Sequence, residues 1–122
     1  MKKSSQRQIF NWLFDVDAAL SWLEMLTRDG RQEIENSIER RLAFIKTIEV
    51  IGEASRHLLR NHQIDQIASD IPWLDLVDTR NEFIHEYFHI NVQMAWNFAI
   101  DVLLPLRGRI RELMQDYPPS KL

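Results

Sequence analysis

The sequence predicts an all-α fold, an antiparallel bundle of four to five helices, and three observations carry that prediction. Apolar residues recur three and four positions apart through most of the 122 residues. Only three glycines and four prolines punctuate the chain, too few for the many turns of a sheet protein. No segment alternates apolar and polar residues over the length of a strand, and no segment repeats. A chain of this size builds a single core, so residues 1–122 are read as one domain. With 45% hydrophobic residues the composition is that of a globular protein and excludes wholesale disorder.

The first helix is expected from Ser5 to Arg28 on the stripe Ile9, Leu13, Val16, Leu20, Leu23 and Leu26. Ser5 followed by Gln8 reads as a capping box, and Gly30 as a left-handed cap after it. A longer stripe, Ile34, Ile38, Leu42, Ile45, Ile48, Ile51, Ser55 and Leu58, predicts a second helix ending near Asn61-His62. Gly52 inside it costs up to about 1 kcal/mol against alanine, which a close approach of a second helix explains better than a ligand does. After a polar connector, Ser69-Asp70-Ile71-Pro72 starts a third helix that carries Trp73, Leu76, Val77, Phe83 and Ile84 towards Tyr87. Asn91 caps the last helix, with Val92, Ala95, Ala99, Val102, Leu106, Ile110 and Leu113 on its apolar face. Pro105 should kink it and Pro118-Pro119 close it.

Several function classes fall away at this level. The chain has no cysteine, so neither a disulfide framework nor a thiolate zinc site can form, and a reducing, cytoplasmic setting is expected. Its apolar runs are far shorter than a membrane span needs, and Asp15 and Asp17 follow the basic start too closely for a signal peptide. A net charge of −3 excludes general coating of nucleic acid but leaves room for a local basic cleft.

The segment from Asp78 to His89 concentrates the chemistry: within twelve residues it holds Arg80, Asn81, His85, Glu86, Tyr87 and His89. Three readings fit it. His85-Glu86-Tyr87-Phe88-His89 matches H-E-x-x-H, which would make His85 and His89 zinc ligands and Glu86 a base, with Glu112 as a distant third ligand. That reading lacks the strand on which such sites hold a peptide. A second reading is metal-free RNA cleavage, in which the 2′-hydroxyl is the nucleophile, a histidine moves the proton and an arginine stabilises charge on phosphorus. On one helix Arg80 and His85 lie about 140° apart, so a two-fold pair of chains would converge them better and would supply one histidine as base and one as acid. A homodimer follows from that chemistry. In the third reading the same polar residues only satisfy an oligomer interface.

Arg80-Asn81-x-x-x-His85-x-Tyr87 after Trp73, with Ile51-Gly52-Glu53-Ala54 upstream, resembles the HepT-like branch of the HEPN superfamily. Trp96 and Leu104-Pro105-Leu106 add to the likeness, which extends from the first helix to about Leu113. The resemblance implies a HEPN-like helical homodimer acting as a metal-independent endoribonuclease toxin. Its partner would be an MNT-type nucleotidyltransferase antitoxin. Arg80 and His85 would then be catalytic, Asn81 would assist, and Tyr87 would receive AMP from the antitoxin, with no cofactor needed. Glu86 departs from the small residue common at that place, and His89 has no counterpart role. Outside this segment, Glu53 is expected to hold the third helix. Arg56-His57, Arg40-Arg41 and Arg107, Arg109 and Arg111 read as solvated charge, and the four tryptophans as core or interface fillers.

Overall fold

The computed structural model describes residues 7–85 and 91–120, with only the backbone at residues 84 and 85. Every regular element among the described residues is helical: α1 (Ile9–Thr27), α2 (Arg31–Glu35), α3 (Ile38–His62), α4 (Ile64–Ile67), α5 (Trp73–His85), α6 (Val92–Phe98) and α7 (Arg107–Asp116). A π turn over Ala99–Leu103 and a 3₁₀ turn over Leu104–Leu106 run α6 into α7 without a break. The long α3 is the centre. It packs α1 on one side and α5 on the other, and α7 closes against α1. One apolar core joins all of them, from Leu13, Leu20 and Leu23 through Phe44, Ile48 and Leu58 to Trp73, Leu103 and Ile110. Each such side chain contributes about 1.5–3 kcal/mol when fully buried.

The helix boundaries differ from the sequence reading in ways that have physical causes. Gln8 is the N-cap of α1, and its side chain bonds no helix amide. Its Oε1 accepts instead from the Ser120 backbone N–H at 2.9 Å, tying the end of the chain to its start, so the helix begins later than a Ser5 capping box implies. Ser5 itself lies outside the described residues. Gly30 does take a positive φ, +97°, but with ψ at 164° it is an extended N-cap to α2 and not a left-handed helix cap. The stripe from Ile34 is broken: Ser37 caps α3 through a bond from the Arg40 amide at 3.1 Å, leaving Ile34 buried in the separate turn of α2. Ile38 and Leu42 are consequently exposed, and Phe44 takes a core place. At the far end Gln63, not Asn61, adopts the left-handed conformation, with φ 46°. The connector beyond it is less polar than it reads, since α4 buries Ile64 completely.

Asn91 caps α6 as expected, its side chain accepting from the Met94 amide at 3.2 Å. Pro105 acts where predicted. The π turn preceding it absorbs the missing donor and advances the register, so Leu103 is buried and Val102 is not. The three arginines of the last helix are clamps. Arg107 meets Asp17 at 3.4 Å and Glu24 at 2.7 Å, Arg111 meets Asp17 at 3.1 Å, and Arg109 reaches Asp70 at 2.8 Å. They bind α7 to α1 and to the turn before α5. No helix among the described residues is long and apolar enough to cross a membrane.

Candidate active site

The site is built on the crossing of α3 and α5. Gly52 makes that crossing close: a Cβ on it would lie 2.2 Å from Arg80 Cβ and 2.7 Å from the Leu76 carbonyl oxygen. The glycine anticipated as a point of helix approach therefore touches Arg80 itself. One residue further along α3, Glu53 places its carboxylate beside the arginine, with Arg80 Nη2 2.9 Å from Glu53 Oε1. Arg80 Nη1 donates to Asn81 Oδ1 at 2.8 Å. The guanidinium is thus held at two of its nitrogens while its side chain keeps 24% of its surface open. Asn81, expected to assist at the site, accepts the Arg80 bond as the arginine's neighbour in sequence.

Glu53 does more than hold one partner. Arg56 Nη2 lies 2.9 Å and His57 Nε2 3.0 Å from its Oε2, and Arg56 Nε 3.4 Å from Oε1. The Arg56 hydrogen bond is the largest influence holding the Glu53 carboxyl below its ordinary value. Burial opposes it, and the charges of Arg56 and Arg80 and the His57 bond add to it. The same bond raises Arg56. His57 is braced in turn. Its ring stacks on Trp12 with centroids 4.2 Å apart and planes within 5°, and Arg7 covers Trp12 at 4.1 Å. An N–H at His57 Nδ1 would be buried without an acceptor among the described residues, which leaves Nε2–H as the donor to Glu53.

Arg56 and His57 are therefore not the free surface charge they resemble in the sequence; both are half-buried and engaged. The signal that could have found them is their spacing: positions 56 and 57 fall three and four residues after Glu53, on its helix face. Trp12 is already engaged by His57 and Arg7. Trp73 is core, with Nε1 donating to the Ala68 carbonyl at 2.9 Å, Trp96 packs against the core, and Trp22 is 59% exposed. A cavity of about 300 Å³ opens beside Arg80, lined also by Trp12, Lys46, Glu49, Val50 and Glu53.

His85 is the last residue of α5, and its side chain, like all of Glu86, Tyr87 and His89, lies outside the described residues. Arg80 and His85 are thus joined by one helix. Glu112, the distant third ligand of the zinc reading, is an exposed residue of α7 with its Oε1 3.4 Å from Arg109 Nη1.

Comparison with known proteins places the chain among ribonuclease-like relatives. The family described as ribonuclease HepT-like matches residues 16–113. "Putative RNase MJ1380" of Methanocaldococcus jannaschii is 32% identical over 96 residues, covering 78% of this chain and 86% of that one. "Probable ribonuclease HepT" of Thermococcus cleftensis is 26% identical over 114 residues, 93% of this chain and 98% of that one. The match to "Putative RNase TTE0752" of Caldanaerobacter subterraneus is 30% identical over 73 residues and spans 63% of that protein's length. No solved structure matches.

Proposed function

The chain belongs to the ribonuclease HepT-like family, and from that premise we propose that it is a metal-independent endoribonuclease working through Arg80 and His85. The observation that carries this reading is the setting of Arg80, a half-buried guanidinium fixed by Glu53 and Asn81 with a cavity beside it. A planar, permanently charged donor held in place before substrate arrives is what charge building up on a pentacoordinate phosphorus requires. In the proposed reaction His85 takes the proton of the 2′-hydroxyl, the 2′-oxygen attacks the adjacent phosphorus, and the 5′-oxygen leaves with a proton. Two chains as a homodimer supply two histidines, so that one accepts while the other donates.

The same reading makes the protein the toxin of a toxin–antitoxin pair whose partner is an MNT-type nucleotidyltransferase. The Tyr87 hydroxyl would attack the α-phosphorus of ATP, forming a phosphodiester to AMP and releasing pyrophosphate. AMP there adds bulk and negative charge two residues from His85 and repels an incoming phosphate.

One experiment tests the activity. Purified protein is incubated with RNA, with and without a chelator, beside Arg80→Ala and His85→Ala. Chelator-resistant cleavage that both variants lose is expected, and cleavage unchanged by either variant overturns the reading. Chelator-sensitive proteolysis would restore the H-E-x-x-H reading, and an inactive protein that binds a nucleotidyltransferase would be a non-catalytic binding subunit. For the modification, a mass increase of AMP units after treatment with partner and ATP, absent in Tyr87→Phe, is the expected result.

A further inference from the structure

We propose that Arg56 is a second phosphate-binding residue of the RNA site, forming with Arg80 a two-arginine cradle for neighbouring backbone phosphates; this rests on the ribonuclease reading. Arg56 and Arg80 come from different helices, yet each has a terminal nitrogen 2.9 Å from one oxygen of the same carboxylate, that of Glu53. Glu53 therefore acts as a spacer that orients both guanidiniums at once.

Among the arginines that meet a carboxylate, these two stand apart. Arg107 and Arg111 also share a carboxylate, Asp17, but Arg107 has Glu24 besides. Arg109 likewise has two, Asp70 and Glu112, and Arg7, Arg31 and Arg40 each have one. Among the described residues, Arg56 and Arg80 are the pair that shares one carboxylate with no second. In a chain of net charge −3, Arg56, Arg80 and Glu53 by themselves carry one positive charge, while Asp15, Glu49 and Lys46 line the adjoining cavity. The two guanidiniums are the groups there that a phosphate oxygen can approach as paired donors.

The geometry leaves donors for it. Arg56 uses Nε and Nη2 on Glu53, so its Nη1 amino group remains to donate, and its side chain is 30% exposed. Arg60, exposed one helical turn beyond Arg56, continues the basic line along α3. His57, stacked on Trp12 and bonded to Glu53, keeps the carboxylate from turning, so the cradle is set before RNA arrives. Its cost of ordering is met in folding and not in binding.

Binding of a fluorescent 2′-O-methyl RNA oligomer, which lacks the nucleophile and cannot be cut, tests this independently of catalysis. The association constant is followed against KCl concentration by anisotropy. Each phosphate contact on a single strand contributes about 0.7 to the slope of log K against log salt, so Arg56→Gln should lower the slope by about that amount. It should weaken uridine and adenosine oligomers by the same factor. Arg56→Lys, which retains the charge, should keep the wild-type slope, and so should Arg109→Gln, whose guanidinium is engaged elsewhere. A wild-type slope in Arg56→Gln, or no binding by the wild-type protein, overturns the proposal. Circular dichroism melts of each variant guard against misfolding, and a second charge-removing variant, Arg56→Met, decides the matter in the same titration if the glutamine variant is unstable. Binding with the expected slopes but no cleavage of ordinary RNA would sink the ribonuclease reading while leaving the cradle standing.

Discussion

Gly52 and Arg80 meet across α3 and α5 with no room between them: a methyl group on the glycine would stand 2.2 Å from the arginine Cβ. Alanine at 52 improves helix propensity by up to about 1 kcal/mol, but it must push α5 away, and overpacking of this kind costs about 1–3 kcal/mol. Gly52→Ala should therefore lower stability in a urea titration and move Arg80 off Glu53, with loss of cleavage. A Cβ added at Gly108 would meet nothing within 4 Å, and the backbone there has no positive φ, so Gly108→Ala should raise stability by about 0.5–1 kcal/mol. Equal effects of the two substitutions would contradict the close approach.

Arg80 should not tolerate lysine. Its guanidinium bonds Glu53 with one nitrogen and Asn81 with another, and an ammonium cannot present that planar fork. Arg80→Lys should keep the fold but reduce cleavage by about 10-fold or more, and Arg80→Ala by about 100-fold or more. Initial rates on one RNA substrate measure both, and a fully active lysine variant would refute the need for the fork.

Glu53 gives the site a defined acid limit. Its carboxyl sits below the ordinary 4.5, chiefly because Arg56 hydrogen-bonds the ionised form. A depressed folded value means that the ionised carboxylate contributes stability above the unfolded value and loses it as pH falls through the folded one. The difference in melting temperature between wild type and Glu53→Gln should thus be widest near neutrality and shrink as pH drops below 4.5. Melts at stepped pH measure it, and a constant difference would remove Glu53 as its source.

Trp73 starts α5 and fixes its position. The side chain is 2% exposed and its Nε1 donates to the Ala68 carbonyl. Trp73→Phe should cost about 0.5–1.5 kcal/mol by removing that bond and leaving the carbonyl only the Ile71 N–H at 3.4 Å, and Trp73→Ala about 3–5 kcal/mol through the cavity it creates. Denaturant midpoints measure both, and a wild-type midpoint for Trp73→Phe would assign the Trp73 N–H no role in stability.

The all-helical architecture, the capping of the last helix by Asn91, the irregularity at Pro105 and the close approach at Gly52 were all legible in the residues, because each depends on local chemistry. Periodicity, caps, a missing backbone donor and a missing side chain act within a few positions of the chain. The expectation that Glu53 holds α5 is likewise met by its ion pair with Arg80. What the sequence could not decide was how far each stripe runs and who meets whom between helices. Ser37 cut the second stripe and exposed Ile38 and Leu42, and the π turn moved burial from Val102 to Leu103. Arg56 and His57 looked like surface charge until α5 and α1 arrived beside them. Only the packing of α5 on α3 adds Arg80 to the carboxylate that Arg56 and His57 reach along their own helix, because ion pairing between helices depends on distances that no single helix contains.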